Sequence, residues 1–271
     1  MPSWNIHLEA GNRLADKLKL SGAKRKEFLF GCLLPDINNG YINKVKIRKH
    51  HEETHYAYDQ KSSLNFYAEN KSKIIEKDPL YLGYLFHLYT DGYFNYDFYR
   101  TIKRHKLGEG RNHEEKRAIK HHDFWLYDTN FHHQLNISQS ELKALAARAN
   151  EISVPEISPE DIHDVERILA DDELNQAIKG DRYQFYTKER LDDLLEDMIE
   201  SFSNDYLSGN SQNAWTSWSR NDSSWSRTVH HQAKPHQNHH PLRQIFHRQA
   251  NHGHGYSDAS FWQSPRYRFW Q

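Results

Sequence analysis

The chain has 271 residues with 36 Lys and Arg against 37 Asp and Glu, a balance that gives no electrostatic argument for binding nucleic acid or an anionic membrane. Hydrophobic residues make up 37% and mean hydropathy is -0.99, polar for a length that allows one or two domains. A single cysteine, Cys32, excludes an intrachain disulfide framework and a thiolate zinc knuckle.

In chain order, Ile6, Ala10, Leu14 and Leu18 recur every four residues, the apolar stripe of a first helix. A second helix is predicted over 23–33, stopped by Pro35. Cys32 lies within its apolar run and reads as a small buried hydrophobe. Residues 50–58 and 62–77 read as helices, the latter capped by Ser62 or Ser63. Asp78-Pro79 opens another, because Asp suits the N-cap and Pro the first turn; it is predicted to run through Leu85, Leu88 and Asp91. Residues 113–136 read as a helix or helix-turn-helix. Ser138-Gln-Ser-Glu141 has the form of a capping box ahead of 142–149. Ser158-Pro-Glu-Asp161 opens another helix, and 187–206 reads as the last.

Composition changes near Ser208. From 209 onward there is no Glu, one lysine (Lys234), five tryptophans and eight histidines between His230 and His254. No helical or alternating period appears there, so the reading is an irregular tail. A disordered tail, a translation that has left its reading frame, and a metal- or nucleic-acid-binding tail all remain open. The expected architecture is therefore all-α: a multi-helix bundle over 1–207 with a metal site between helices, followed by the atypical segment 208–271.

No signal peptide is visible at the N-terminus. The longest apolar run, 80–94, is shorter than a bilayer span and contains His87 and Asp91. A soluble, cytoplasmic protein without stable membrane insertion is expected, with the oligomeric state open.

The strongest chemical signal is His87-Leu-Tyr-Thr-Asp91. Four residues apart on a helix, imidazole and carboxylate share a face and can grip one cation. His51-Glu-Glu-Thr-His55 repeats the spacing. These N and O donors suit Zn2+, Mn2+ or Fe2+. The stretch around His87 and Asp91 is apolar, so the carboxylate must be paired, metal-bound or turned to a cleft. A plain buried His–Asp hydrogen bond is the alternative. His7 and Asp36 each stand beside apolar residues in separate segments, which strengthens the case for a shared site. His121-His-Asp-Phe-Trp-Leu-Tyr-Asp128 adds further donors, with Asp128 and His132 again four apart, while His105, His113 and His133 read as solvated.

These pieces, in this order, resemble the zinc-dependent phospholipase C and single-strand nuclease superfamily, in its short bacterial branch. The likeness rests on Trp4-x-x-His7-x-x-Ala10, Phe28-Leu-Phe-Gly-Cys-Leu-Leu-Pro-Asp36, the His51 to His55 segment, and Tyr84-Leu-Phe-His87-x-x-x-Asp91, and covers about residues 1–135. It implies an all-helical fold, zinc, and hydrolysis of phosphoric esters by metal-activated water. By the resemblance, Asp36, one of His51 or His55, His87 and Asp91 hold a first metal, and Asp36 also orients the nucleophile. Asp91 bridges to a second metal bound by His7, and a remaining ion draws on His122 and Asp128. Two departures reduce the expectation to one or two ions. Trp4 follows Met-Pro-Ser where secreted members begin on a processed Trp, and Tyr96 and Asp97 stand where a further His would be.

The substrate stays open among a small phosphoester, a lipid head group and nucleic acid. Two rivals are an HD-type phosphohydrolase built on His122-Asp123 with His87 and Asp128, and a non-catalytic helical binding module with a structural metal.

Overall fold

The structure, a computed structural model, describes residues 2–37, 51–56, 61–105, 109–152, 157–169 and 181–208. Among these there is no strand, and the fold is all-α. The segment 209–271, with its Trp and His residues, lies outside the described residues.

Helix α1 (Trp4–Lys17) buries Ile6, Ala10 and Leu14 along the expected stripe. Leu18 falls just past its end, where Lys19 takes a left-handed φ of 56°. The Leu20 amide then bonds the Ala15 carbonyl and the Lys19 amide the Asp16 carbonyl, satisfying two carbonyls at the helix end. Helix α2 (Gly22–Gly31) ends earlier than predicted and passes into a 3-10 turn, Leu34–Asp36, with Pro35 inside it.

Helix α3 (His51–His55) stops short of the predicted 58, because Tyr56 takes a left-handed φ of 62° and leaves the helix; residues 50 and 57–58 lie outside the described residues. The single helix expected over 62–77 is two, α4 (Lys61–Glu69) and α5 (Lys71–Ile75). The chain breaks at Asn70, whose side-chain amide donates to the Phe66 carbonyl at 3.0 Å and so favours a turn over helix continuation.

Helix α6 (Pro79–His105) is the longest element and runs well beyond Asp91. The Asp78 carboxylate accepts from the Leu80 amide at 3.1 Å, the capping contact its position foretold. At 27 residues it spans about 40 Å. Even so, none of the described helices is long and apolar enough to cross a membrane.

Helices α2 and α6 cross backbone to backbone. A methyl group on Gly31 would stand 2.4 Å from the Leu80 carbonyl oxygen, and one on Gly83 would stand 2.1 Å from the Phe28 carbonyl oxygen. Only glycine permits that approach. The crossing sets the end of α2, and with it Cys32 and Asp36, against the face of α6 that carries His87.

Helix α7 (His113–Asp128) opens on a full capping box between Asn112 and Glu115 and stops at Asp128, short of the 136 allowed by the sequence reading. Helices α8 (Gln139–Ala149) and α9 (Pro159–Leu169) follow. Glu141 accepts from the Ser138 amide at 2.7 Å, and Asp161 from the Ser158 amide at 2.8 Å, so both predicted starts hold. Helix α10 (Lys188–Phe202) ends in a π turn, Ser203–Leu207. The core around α6 is aromatic: Phe66 stacks on Tyr84 at 4.5 Å and Phe86 meets Phe202 edge-on at 4.8 Å.

Candidate metal centre

Five side chains from four elements meet beside the α2–α6 crossing: His7 on α1, Asp36 in the 3-10 turn, His55 on α3, and His87 and Asp91 on α6. None is more than 6% exposed. Two overlapping groups form, His55 with His87 and Asp91, and His7 with Asp36 and His87; in each, the donor atoms lie within 4.8 Å of one another.

The spacings within the first group separate two chemistries. His87 Nε2 lies 3.2 Å from His55 Nε2. Asp91 Oδ2 lies 3.4 Å from His55 Nε2 and 3.7 Å from His87 Nε2. Asp36, a member of the second group, stands beside the first, with Oδ1 3.5 Å from His55 Nε2 and Oδ2 3.9 Å from His87 Nε2. Hydrogen bonds would draw such N–O pairs to about 2.7–3.2 Å. Four ligands at tetrahedral angles around one zinc-sized ion stand about 3.3–3.4 Å apart. Both Asp91 oxygens and both His7 nitrogens are buried without a hydrogen-bond partner among the described residues, although hydrogen bonding is what normally compensates buried polar atoms.

The tautomers sharpen this. His87 Nδ1 sits 2.7 Å from the Cys32 carbonyl oxygen, which can only accept, so Nδ1 carries the proton and Nε2 a lone pair. Thr54 Oγ1 donates to the His51 carbonyl at 3.3 Å, and with that hydrogen engaged it can accept from His55 Nδ1 at 2.8 Å, the tautomer in which His55 Nε2 is open to a ligand role. In these tautomers the two Nε2 atoms, 3.2 Å apart, both offer a lone pair to one ion. A proton on His87 is disfavoured, because burial first, and then the neighbouring His7, hold it well below the usual imidazole range. Buried His and Asp groups here can hold a metal ion.

Asp91 divides its oxygens: Oδ2 faces His55 and His87, while Oδ1 lies 3.4 Å from His7 Nε2. Burial opposes its charge, but His55 and His7 prevail and keep the carboxyl well below the usual carboxylate range. His87 has one free nitrogen for the two groups, so only one ion can use it. His7, stacked on His87 at 3.9 Å, is left with Asp91 Oδ1 as the beginning of a second position.

The other expected ligands lie apart from both groups. His51 stacks on His55 at 3.8 Å, and burial followed by the His55 charge lowers it to about 3; His55, not His51, brings its nitrogen to the cluster. His122 faces Asp123 at 3.1 Å and Asp181 at 3.4 Å. Asp123 accepts from three backbone amides, Gln184, Phe185 and Tyr186, at 2.7–2.8 Å. Asp128 accepts from the Ser3 hydroxyl and, at 3.1 Å, from the Asn5 amide. Asp97 accepts from Arg190 at 2.7 Å and from the Tyr186 hydroxyl at 3.2 Å. Tyr84 is fully buried and donates to the Thr54 carbonyl, so it braces α3. His133, read as solvated, is bound to Glu9 at 2.9 Å.

Sequence reasoning missed the supporting groups, the Cys32 carbonyl and the Thr54 hydroxyl, and it missed Lys120, a buried lysine whose ammonium donates to Asn95 at 2.8 Å. The signal for Lys120 was available only indirectly: Asn95 continues the four-residue step of His87 and Asp91. Comparison with protein-family models, curated proteins and solved structures found no match.

Proposed function

We propose that the chain is a metal-dependent phosphoric-ester hydrolase, of the kind found in the zinc-dependent phospholipase C and single-strand nuclease superfamily, holding one or two zinc ions. The observation that carries the reading is the pair of buried imidazole Nε2 atoms 3.2 Å apart with Asp91 and Asp36 beside them. The donor set favours zinc, with Mn2+ or Fe2+ as alternatives, because it offers imidazole and carboxylate and no thiolate. Cys32 is fully buried, and burial pushes its thiol well up.

Bound there, a divalent ion would supply a water of lowered pKa and a Lewis acid for phosphoryl oxygens. The chain's own residues do the rest. Asp36 and Asp91 carry the two negative charges that match one divalent ion. The Cys32 carbonyl and Thr54 hydroxyl keep His87 and His55 in the ligating tautomer. Asp36, as a ligand, also orients the nucleophile, and Asp91 turns its second oxygen toward His7. The substrate class is a small phosphoester, a lipid head group or nucleic acid, and the setting proposed is the cytoplasm.

The complete burial of the donors favours one second reading, a structural ion in a non-catalytic helical module. Zinc-reconstituted full-length protein should hydrolyse bis(p-nitrophenyl) phosphate, lose activity on chelation, and regain it on metal return. Full zinc occupancy with no hydrolysis of this or other generic phosphodiesters would leave the structural reading standing.

A further inference from the structure

Lys120 on α7 is only 6% exposed. Its ammonium donates to Asn95 Oδ1 at 2.8 Å and lies 5.8 Å from the ring centres of both Phe98 and Tyr99. Among the described residues no carboxylate lies within ion-pair distance of it. A buried ammonium normally has an anionic partner, because a single neutral acceptor and two aromatic rings do not replace the water it gave up.

Lys120 lies close to the cluster along α6. His87, Asp91 and Asn95 follow one another at four-residue steps along α6, so they form one stripe with neighbours about 6 Å apart. Lys120, held by Asn95, therefore stands about one helical turn beyond Asp91 on the same face. Asp91 is also the carboxylate that acts on Lys120 electrostatically, opposing the effects of burial and of Arg117.

We propose that Lys120, positioned by Asn95, is the cationic end of an anion subsite that receives a phosphoryl oxygen of a substrate bound at the His7–Asp36–His55–His87–Asp91 cluster. The proposal rests on the phosphoester reading of that cluster. An ammonium is suited to the role as a point charge with three donors, of which Asn95 takes one. Burial lowers its pKa to about 8, which leaves it mostly charged at neutral pH.

The test is calorimetric titration of inorganic phosphate into zinc-loaded full-length protein, with zinc content and bis(p-nitrophenyl) phosphate turnover measured on the same samples. Lys120→Met should lower phosphate affinity about 10- to 100-fold, the worth of a hydrogen bond to a charged group, with zinc content unchanged. Lys120→Arg should retain most of the affinity. Asn95→Asp serves if Lys120→Met does not fold: it leaves the ammonium in place but supplies the missing carboxylate, and should weaken phosphate by a similar factor. Unchanged phosphate affinity in these variants with zinc intact, or no phosphate binding by the wild-type zinc protein, overturns the subsite. Lys120-dependent phosphate binding without any hydrolysis keeps the subsite and sinks the hydrolase reading; hydrolysis with Lys120-independent phosphate binding does the reverse.

Discussion

His87 and Asp91 on α6, and His122 and Asp123 on α7, are both buried His–Asp pairs, but their polar atoms end in different places. On α7 the partners are in hand: Asp123 takes three backbone amides at 2.7–2.8 Å, and His122 has a carboxylate at each ring nitrogen. On α6 only His87 Nδ1 is closed, by the Cys32 carbonyl at 2.7 Å; the Nε2 and carboxylate contacts stand at 3.2–3.7 Å, and the Asp91 oxygens have no hydrogen-bond partner among the described residues. One pair is closed by the protein itself. The other has the spacing of ligands around an ion. Residue type and burial are shared, so it is the presence or absence of protein donors on the carboxylate oxygens that distinguishes the two pairs.

The largest effect that would break this comparison is on metal binding. Asp91→Asn and His87→Ala should each weaken zinc by more than the about 10–100-fold that loss of a supporting hydrogen bond costs, as read by competition with a chromogenic chelator. Wild-type affinity in either variant would refute the assignment. Asp123→Ala should do the opposite. It strands three backbone amides, of which that of Tyr186 is buried, and should cost about 1–3 kcal/mol of stability, a few degrees in Tm, with zinc stoichiometry unchanged by elemental analysis. Complete zinc loss from folded His122 or Asp123 variants would revive the HD-type reading.

Thr54→Val tests the tautomer argument. It removes the acceptor for His55 Nδ1 and should lower zinc affinity about 10- to 100-fold with little change in apo stability; an unchanged dissociation constant would mean that the hydroxyl does not orient the ring.

A smaller effect is the pH response of the chelated protein. Burial holds His51 at about 3 and His87 well below its usual range, so both stay neutral when folded. Below about 6.5, the ordinary histidine value, the unfolded chain takes up protons that the folded chain refuses. Stability is therefore present above that value and falls as pH falls; for His51 the window runs from about 6.5 to about 3. His122 acts the other way: burial pulls it down, but Asp123 and Asp181 outweigh burial and raise it. Burial lowers His113 and His121 in the same direction, so four histidines act against one and the net sign is a loss of stability on acidification, measurable as a lower urea midpoint at pH 5.5 than at pH 6.5. A midpoint that rises on acidification would contradict it. Asp181→Asn should have the smallest effect, within about 1 kcal/mol, because that carboxylate is 46% exposed; a calorimetric scan checks it.

Much of the scaffold was legible because its signals are local. Asp78-Pro79, Ser138 with Glu141, and Ser158 with Asp161 announce helix starts through contacts within three residues. The four-residue step of His87 and Asp91 likewise needs only one helix to be read. What escaped depends on tertiary contacts. The break at Asn70 turns on a side-chain bond competing with helix continuation, and the run of α6 out to His105 follows from what packs on it. The spacing of His51 and His55 is symmetric, and only the fold around α3 turns His55 inward and leaves His51 stacked behind it. Asp123 and Asp128 look like ligands in sequence because nothing local reveals the 184–186 amides or the Ser3 and Asn5 donors that occupy them.

The measurement that bears most directly on the metal centre is zinc per chain in full-length protein after loading and dialysis, compared among wild type, Asp91→Asn and Asp123→Asn. One or two ions in wild type and in Asp123→Asn, and none in Asp91→Asn, is the predicted result. A folded wild-type chain that stays empty, or an Asp91→Asn chain that stays loaded, would contradict it.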